Sequence, residues 1–278
     1  MRIAIGMSGG VDSSVAALLL QRQGHDVVGV CMTLWDGEYA PATGKHGCYG
    51  PEEQDDVEDA ARVCEFLGIP FHTFNCADEY KMIVLDYFRR EYAAGRTPNP
   101  CVKCNQLMKF GFLPRKLYDA GMQYDGFATG HYARVTFGSR QGRYLLKRGL
   151  DRCKDQTYFI YRLSQEQLSH CVFPLGELTK AEVRRLAVEN GLPTANKAES
   201  QDFYCGDYQE LLQGAGCEPG DIVDTTGRVL GRHDGIRRFT PGQRRGLSVK
   251  SAIPLYVVRI DAVHNRVVVG RREEIIFH

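Results

Sequence analysis

Long hydrophobic runs are missing from this sequence. The longest apolar stretches, such as Val15 to Leu20, are far shorter than the roughly 20 residues that a membrane-spanning helix needs. The chain begins Met-Arg-Ile-Ala-Ile-Gly, which is typical of a buried strand and has neither the apolar core nor the cleavage site of a signal peptide. We therefore expect no membrane partner and a cytoplasmic location.

Cysteine is also scarce. Ten cysteines in 278 residues are too few for a small disulfide-bonded scaffold. Three lie in apolar patterns and are predicted to be small buried hydrophobic side chains: Cys31, Cys64 and Cys76. Four stand in no motif: Cys48, Cys153, Cys171 and Cys217. Only Cys101, Cys104 and Cys205 lie in segments whose pattern suggests chemistry.

Acidic residues are nearly absent from one segment near the end of the chain. Between Arg228 and Arg272 there are eleven Lys or Arg but only two acids, Asp234 and Asp261, so this segment carries +9 while the whole chain carries +1. A basic segment in an otherwise acidic chain favours a polyanionic partner. A solvated basic surface is the alternative that composition leaves open.

Strand and helix patterns alternate through the first half of the chain. Buried strands are predicted at Arg2–Gly6, 27–32 and 71–74, with helices between them. Such alternation indicates an α/β fold whose mostly parallel sheet is covered by helices on both faces. We expect this domain at residues 1–165, a helical segment at 166–219 and a small β-rich module at 220–278.

A string rich in glycine and serine lies between the first strand and the first helix. It consists of Gly6, Met7, Ser8, Gly9, Gly10, Val11, Asp12 and Ser13. Glycines let the backbone approach a polyphosphate, and a helix N-terminus attracts the anion. Asp12 is placed to orient a Mg²⁺ ion through water. Since no Gly-Lys-Ser/Thr follows, this is not a Walker A loop; the string resembles the loop of ATP pyrophosphatases, which transfer AMP and release pyrophosphate.

Two motifs contain the remaining cysteines. The run Pro98-Asn99-Pro100-Cys101-Val102-Lys103-Cys104 is a proline-rich turn entering a helix, and Glu199 to Cys205 is a polar segment ending in cysteine. A thiol at a helix start is expected to have a lowered pKa and so to be reactive. By itself, Cys-x-x-Cys fits a redox pair, half of a zinc site or part of an iron–sulfur site, and no second pair follows at zinc spacing.

Together these motifs resemble those of the bacterial tRNA-specific 2-thiouridylases, which are N-type ATP pyrophosphatases. They occur in the order of that family along almost the whole chain: Gly6 to Ser14, Ala94 to Pro100, Cys104-Asn105, Ala128 to Tyr132, Lys154 to Phe159, Glu199 to Asp202, Cys205, and Pro241 to Leu247. The resemblance implies an adenine-nucleotide α-hydrolase-like fold. It also implies that ATP adenylates C2 of a tRNA wobble uridine and that sulfur then replaces the oxygen.

The resemblance assigns roles to individual residues. It implies ATP binding by Gly6 to Ser13 with Met32 and Gly130. It places Cys104 as the catalytic nucleophile and Cys205 as the carrier of persulfide sulfur. It puts these residues at the target base: Asn99, Pro100 and Cys101. It gives contacts elsewhere on the tRNA to His131, Lys154, Asp155 and Gln156, although His131 also fits a structural role and Asp155 a helix-start cap.

The implied partners are tRNAs for Lys, Glu and Gln, together with a persulfide or sulfide donor protein.

Two departures from the family pattern matter. Many members have aspartate at the position of Cys101, so Cys101, Cys104 and Cys205 make up a ligand set for a [4Fe–4S] cluster, with a cluster-free persulfide relay between Cys104 and Cys205 as the equal alternative. Most members also continue into a further β-barrel after the basic module, and that barrel is expected to be missing or truncated here.

Two other functions explain part of the sequence. An adenylating ligase acting on a small molecule accounts for the phosphate loop but gives Cys104 and Cys205 no task. An iron–sulfur or zinc RNA-binding module accounts for the cysteines and the basic segment but not for the loop. The 2-thiouridylase interpretation accounts for all three features.

Overall fold

The structure is a computed structural model that describes residues 1–38, 47–199, 202–204, 206–212 and 216–275. Its strands are β1 (Arg2–Gly6), β2 (Asp26–Thr33), β3 (Phe71–Asn75), β4 (Gly126–Thr129), β5 (Ala133–Gly138), β6 (Arg143–Arg148), β7 (Cys171–Val172), β8 (Gly220–Asp224), β9 (Val229–His233), β10 (Tyr256–Asp261) and β11 (Arg266–Gly270).

The α-helices are α1 (Val11–Arg22), α2 (Glu53–Leu67), α3 (Ala77–Tyr80), α4 (Asp86–Ala93), α5 (Pro100–Lys103), α6 (Leu113–Asp119), α7 (Thr157–Ile160), α8 (Gln165–His170), α9 (Lys180–Glu189) and α10 (Tyr208–Leu211). Two stretches are π-helical, Lys81–Leu85 and Cys104–Phe112, and two are 3₁₀-helical, Ile236–Arg238 and Arg272–Glu274. No described helix has the length and apolarity to cross a membrane.

The main sheet is parallel and has β1 at its centre. Its strand order is β3-β2-β1-β4-β7, with Ala4 of β1 opposite Val28 on one side and Phe127 on the other. One face packs against α1, α2 and α9 through residues such as Val15, and the other face packs against aromatic and aliphatic residues such as Phe110. The predicted parallel α/β fold with helices on both faces is confirmed.

Two features of this part were not predicted. Cys171–Val172 adds a short strand to the sheet inside the segment that was expected to be only helical. Residues 133–148 form an antiparallel hairpin of β5 and β6. The predicted helix through Glu189 is present, and Thr179 and Glu182 form its capping box. Because a two-residue strand has almost no periodicity of its own, only its pairing with β4 identifies it.

The chain divides into two compact units that do not follow chain order. The first contains Met1–Ile83 and Cys101–Cys205, and the second contains Val84–Pro100 and Gly206–His278. The second unit has a four-stranded sheet of order β10-β11-β8-β9. Its core includes Ile222, Phe239 and Val267, so the expected small β-rich module is present.

Candidate functional site

The phosphate loop connects the C-terminal end of β1 to the start of α1. Met7 N donates to Val30 O of the neighbouring strand at 2.8 Å, which fixes the start of the loop. Ser8 N donates to Ser13 Oγ at 3.3 Å, and Ser14 Oγ donates to Gly10 O at 2.8 Å. The loop is therefore folded back onto the first turn of α1, where backbone N–H groups and the helix dipole favour an anion.

Two glycines in this region are required by close backbone approach. Gly9 has φ +66°, and a Cβ there would collide with the backbone of Asp56 at α2. A Cβ at Gly130 would lie 2.7 Å from Ser13 N, inside the first turn of α1. Any side chain at either position would displace the loop, so the tight fold of the phosphate loop depends on both glycines.

The loop forms one wall of a cavity of about 180 Å³ at the carboxyl edge of the sheet. Its lining contains predicted ATP-binding residues from separate parts of the chain: Gly6, Met7, Ser8, Asp12, Ser13, Met32 and Gly130. Val30, Lys109, Leu113, Thr129, His131 and Gln156 also line it. In open parallel sheets ligands bind outside the carboxyl ends of the strands, which is where this cavity lies. Trp35, which follows β2, is not among the residues that line this cavity.

Asp12 is held by two partners from distant parts of the chain. Lys180 Nζ lies 2.7 and 2.9 Å from the two carboxylate oxygens, and the Tyr132 hydroxyl donates to Asp12 Oδ1 at 2.8 Å. Lys180 is only 9 % exposed. Burial, and then the Asp12 charge, raises the pKa of Tyr132 well above its usual value, so its hydroxyl stays a donor. A buried ammonium therefore stands beside the phosphate loop.

The same lysine leads to Glu199. Lys180 Nζ lies 3.0 Å from Glu199 Oε1, and Lys154 Nζ donates to Glu199 Oε2 at 2.8 Å. The hydrogen bond from Lys154, followed by that from Lys180, lowers the pKa of Glu199 to about 2. Asp12, Lys180, Glu199 and Lys154 thus form one chain of alternating charges that ties the loop to the segment preceding Cys205.

His131 lies in the cavity wall. Its Nδ1 is 2.8 Å from Thr129 Oγ1, and burial lowers the pKa of His131 to about 3, with Lys109 contributing further. The imidazole is therefore neutral near pH 7. Thr129 thus gives His131 a structural partner, and His131 also lines the cavity beside the predicted ATP-binding residues.

The segment Lys154, Asp155 and Gln156 is held by internal contacts. Asp155 accepts hydrogen bonds from Gly149 N at 3.1 Å and Thr157 Oγ1 at 2.7 Å. Gln156 Oε1 accepts from Tyr132 N at 3.0 Å. The three side chains therefore hold the start of α7 against the cavity wall, and their contact with tRNA stays a prediction.

The π-helical stretch Cys104–Phe112 connects the cysteine motif to the cavity. It begins at Cys104 and supplies Lys109 to the cavity lining. π-Helical turns are rare and often occur at functional sites. Asn105 next to the cysteine is 6 % exposed, and its Nδ2 donates to Cys101 O at 3.0 Å. Its Oδ1 is buried and has no hydrogen-bond partner among the described residues.

The expected lowering of the thiol pKa is wrong. Burial, followed by the Cys48 and Cys104 thiols, raises the pKa of Cys101 to about 12. Burial raises the pKa of Cys104 to about 11, although Lys109 opposes the shift. The loss of solvation around the sulfur atoms outweighs the positive potential near the helix start. Both groups are thiols, not thiolates, at neutral pH in this structure.

Cys48, which stands in no sequence motif, belongs to the same cysteine group. Gly47 forms a parallel bridge with Asp202, and Tyr49 N donates to Phe203 O at 2.9 Å. The Tyr49 ring stacks on Tyr80 with centroids 5.4 Å apart. These contacts fix the segment that carries Cys48, whose thiol acts on the pKa of Cys101. By contrast, the predicted buried cysteines Cys31, Cys64 and Cys76 are confirmed as buried.

Some predicted site residues cannot be placed relative to the cavity. Cys205, with Ser200 and Gln201, lies outside the described residues. Asn99 and Pro100 belong to the second unit, whereas Cys101 belongs to the first. In the described part of the chain, no three His, Cys, Asp or Glu side chains are placed to hold a metal ion.

Two lysines of this site, Lys109 and Lys180, were not predicted from the sequence. Lys109 follows Cys104 by five positions, so its place after the cysteine motif was a usable signal. Lys180 is 168 residues from Asp12. The sequence around Lys180 predicts the start of a helix, but it does not predict a contact with the phosphate loop. Only the packing of α9 beside α1 brings that ammonium to the site.

Two family models match most of this chain. Residues 1–205 match the model of the tRNA methyl transferase HUP domain, and residues 209–271 match that of the tRNA methyl transferase PRC-barrel domain. The tRNA-specific 2-thiouridylase MnmA of Endomicrobium trichonymphae is 50 % identical over 99 % of this chain and 77 % of its own length. The protein of that name from Synechococcus sp. (strain JA-2-3B'a(2-13)) is 51 % identical over 98 % of this chain and 72 % of its own length.

Among solved structures, NMN synthetase from Francisella tularensis has 21 % identity and a TM-score of 0.41, covering 76 % of this chain and 68 % of its own. That likeness is too low to support a statement about function. The two domain models and the curated relatives extend over nearly all of the sequence. The chain therefore belongs to the family of tRNA-specific 2-thiouridylases.

Proposed function

We propose that this chain is a tRNA-uridine 2-sulfurtransferase that uses ATP to adenylate C2 of a wobble uridine and then replaces the oxygen with sulfur. The observation that carries the proposal is the helix Cys104–Phe112, which starts at the cysteine motif and lines the phosphate-loop cavity with Lys109. One element thus connects the position for ATP to a thiol. A cytoplasmic location, where tRNA is modified, is part of the same proposal.

Adenylation solves the difficulty that the C2 oxygen of uridine is a poor leaving group. The C2 oxygen attacks the α-phosphorus of ATP, the bond to the β-phosphate oxygen breaks, and pyrophosphate leaves. The loop from Ser8 to Ser13 holds the phosphates, and Lys109 and Lys180 provide positive charge against the pyrophosphate. Asp12 would hold Mg²⁺ through water, and the ion would add positive charge against the phosphates.

Sulfur transfer uses the two predicted cysteines. The terminal sulfur of a Cys205 persulfide attacks C2, the C2–O bond breaks, and AMP leaves. The Cys104 thiolate then attacks the Cys205 sulfur, which frees 2-thiouridine and leaves a Cys104–Cys205 disulfide for reduction by an external thiol. Cys104 has a pKa of about 11 before substrate binds, so this step requires its proton to be removed in the complex.

The contacts with tRNA are part of this proposal. Asn99, Pro100 and Cys101 face the target base, and His131 with Lys154, Asp155 and Gln156 contacts the RNA beside it. Lys154 has 40 % of its side chain exposed, which leaves it accessible to RNA. The wobble uridines of Lys, Glu and Gln tRNAs are the proposed substrates, and a persulfide or sulfide donor protein supplies the sulfur.

A [4Fe–4S] cluster held by Cys101, Cys104 and Cys205 is the alternative to the persulfide relay. The donor type fits, because such clusters are held by thiolates. Asn105 Nδ2 donates to the backbone O of Cys101, whereas Cys205 is outside the described residues. When bound by three cysteines, the cluster would offer one iron that binds sulfide.

Cys101→Ser separates these alternatives. The protein is purified without oxygen and reconstituted with iron and sulfide, and the visible absorption spectrum is recorded with the thiolation rate. A charge-transfer band that Cys101→Ser removes together with activity supports the cluster. No band, and full activity of Cys101→Ser, supports the relay.

The proposed reaction is tested with unmodified tRNA, ATP and a persulfide donor. We expect AMP and pyrophosphate as nucleotide products and 2-thiouridine by nucleoside mass spectrometry. Cys104→Ser and Cys205→Ser should each abolish 2-thiouridine while leaving ATP affinity nearly unchanged, because both cysteines lie outside the phosphate loop. ADP as the main product, or full thiolation by either variant, would contradict the proposal.

A further inference from the structure

The first unit carries a basic surface that is separate from the segment 228–272. Between residues 133 and 150 there are five Lys or Arg and no acid: Arg134, Arg140, Arg143, Lys147 and Arg148. All of them lie on the β5–β6 hairpin or its turn. Arg134 is engaged internally, since its Nη1 is 3.0 Å from Glu177 Oε1. The other four are exposed: Arg140 lies in the turn, Arg143 and Lys147 project from one face of β6, and Arg148 projects from the other.

Exposed aromatic rings lie at α7, the next helix after this hairpin. Tyr158 is 60 % exposed and Tyr161 is 61 % exposed. Their rings stack on each other with centroids 6.3 Å apart at an interplanar angle of 28°. The two tyrosines therefore keep a defined, nearly parallel arrangement at the surface, although burying an aromatic ring is normally favourable. Such exposed rings commonly mark an interaction site.

The hairpin lies next to α7, since residues of β6 contact residues of α7. Tyr144 N donates to Gln165 Oε1 at 2.8 Å, and Gln165 Nε2 donates back to Tyr144 O at 3.0 Å. This pair of bonds fixes β6 to the chain just beyond α7. We call the set of exposed residues the hairpin–α7 surface; it consists of Arg140, Arg143, Lys147, Arg148, Tyr158 and Tyr161.

This surface also begins at the edge of the ATP cavity. Gln156 lines the cavity and immediately precedes α7. The Asp155 carboxylate accepts hydrogen bonds from Gly149 N and Thr157 Oγ1, and its Oδ2 is 4.0 Å from Arg148 Nε. Arg148 still has 70 % of its side chain exposed. The cations of the surface are therefore largely free for a polyanion.

We propose that the hairpin–α7 surface binds unpaired nucleotides of the tRNA substrate, with Tyr158 and Tyr161 stacking on bases and the four cations contacting phosphates. Stacked aromatic faces beside cations are the combination that recognises single-stranded RNA, because every base has a π face and each nucleotide carries a phosphate. The inference rests on the proposed function and adds a second tRNA contact to it, in the unit that contains the cavity.

Affinity for fluorescently labelled, unmodified tRNA tests the stacking role. We expect Tyr158→Ala and Tyr161→Ala each to weaken binding about tenfold, whereas Tyr158→Phe and Tyr161→Phe keep near wild-type affinity because the ring remains. Tyr118→Ala is the matched control, since Tyr118 is 73 % exposed on α6 outside this surface. Circular dichroism melting should be unchanged in all of them because the replaced rings are exposed.

The cations are tested by salt dependence. Arg143→Gln and Arg148→Gln should each reduce the slope of log affinity against log salt by about one, whereas the tyrosine variants should leave the slope unchanged. If the wild-type protein thiolates tRNA and both alanine variants bind tRNA within twofold of wild-type affinity, this inference is overturned. The proposed function would then still stand. Loss of sulfur-donor protein binding with unchanged tRNA affinity would overturn it in favour of a protein partner. Wild-type protein that neither binds nor thiolates tRNA would overturn the proposed function as well.

Discussion

At the scale of single residues, burial decides the protonation states of this site. His131 and the thiols of Cys101 and Cys104 are all shifted toward their neutral forms by loss of solvation. Local sequence suggested the opposite for the cysteines, because it showed a helix start but not how much protein surrounds the sulfur atoms. The uncharged forms are consistent with a site that is completed only when its substrates bind.

His131 gives a prediction about pH. Its folded-state pKa of about 3 lies below the value of about 6.5 expected in the unfolded chain. The unfolded state therefore binds a proton below about pH 6.5 that the folded state does not, so stability falls as pH falls from 6.5 toward 3. When the pH is lowered from 7.5 to 5.0, the free energy of unfolding should fall in both proteins. We expect the fall to be about 2 kcal/mol smaller in His131→Gln than in wild type. Urea unfolding at both pH values measures this, and equal losses would show that His131 is not buried as a neutral group.

Lys180 gives a prediction about stability. Replacing it by Met leaves the Asp12 carboxylate without its cation, which should cost about 2 kcal/mol, between the values for exposed and buried pairs. The estimate is intermediate because the Asp12 side chain is 29 % exposed. Asp12→Asn combined with Lys180→Met should be more stable than Lys180→Met alone, since no charge is then left unpaired. Thermal or urea unfolding of the four proteins completes the cycle, and strictly additive effects would mean that the two residues do not interact.

At the scale of elements, the decisive segment is the connection from β1 to α1. Its neighbours at the same edge of the sheet are Met32 near the end of β2 and Gly130 after β4. Parallel pairing of these three strands places their carboxyl ends together. The cavity is therefore a consequence of strand order as much as of the glycine-rich string.

Gly9→Ala tests the fit of the loop against α2. A Cβ at Gly9 collides with the Asp56 backbone, whereas Gly24, with a similar positive φ of +79°, has nothing within 4 Å of a Cβ. Both alanine variants incur the cost of a left-handed backbone, roughly 1 kcal/mol. Only Gly9→Ala should also weaken ATP binding, by more than tenfold, in an equilibrium binding assay. Equal ATP affinity in Gly9→Ala and Gly24→Ala would contradict the role of this contact.

At the scale of the whole molecule, charge is distributed unevenly between regions. Of the eleven basic side chains between Arg228 and Arg272, ten are exposed, and Arg237 is half-buried. Arg237 donates to Leu212 O, so it serves the fold of the second unit. The exposed majority is the expected source of non-specific RNA affinity.

Charge reversal at Arg244 and Arg245 tests this expectation. Both side chains are exposed, so the double change to Glu should weaken tRNA binding and flatten its dependence on salt without unfolding the protein. The same double reversal at Arg22 and Arg185, which are exposed in the first unit, is the control. Filter binding at several salt concentrations provides the comparison. Unchanged affinity and slope after reversal at Arg244 and Arg245 would remove this segment from the tRNA-binding surface.

Fold class and the residues of the phosphate loop could be predicted from sequence because their signals are local. The alternation of strands and helices, and the Ser8 to Ser13 string after β1, each lie within a short stretch of chain. The hairpin at 133–148 and the strand at Cys171–Val172 could not be predicted with the same rules. Their strands are short or lie at an edge, and pairing with other strands defines them.

By itself, the sequence determined the type of chemistry: a polyphosphate loop without a Walker lysine, cysteines in two motifs and a basic segment. Tertiary structure alone decided which charges meet that loop and which side chains lose their solvation. Lys180 reaches Asp12 across 168 positions of the chain, and Cys48 joins Cys101 because Gly47 pairs with Asp202. Motifs encode local backbone and residue type, whereas ion pairing and burial depend on packing between segments that are distant in sequence.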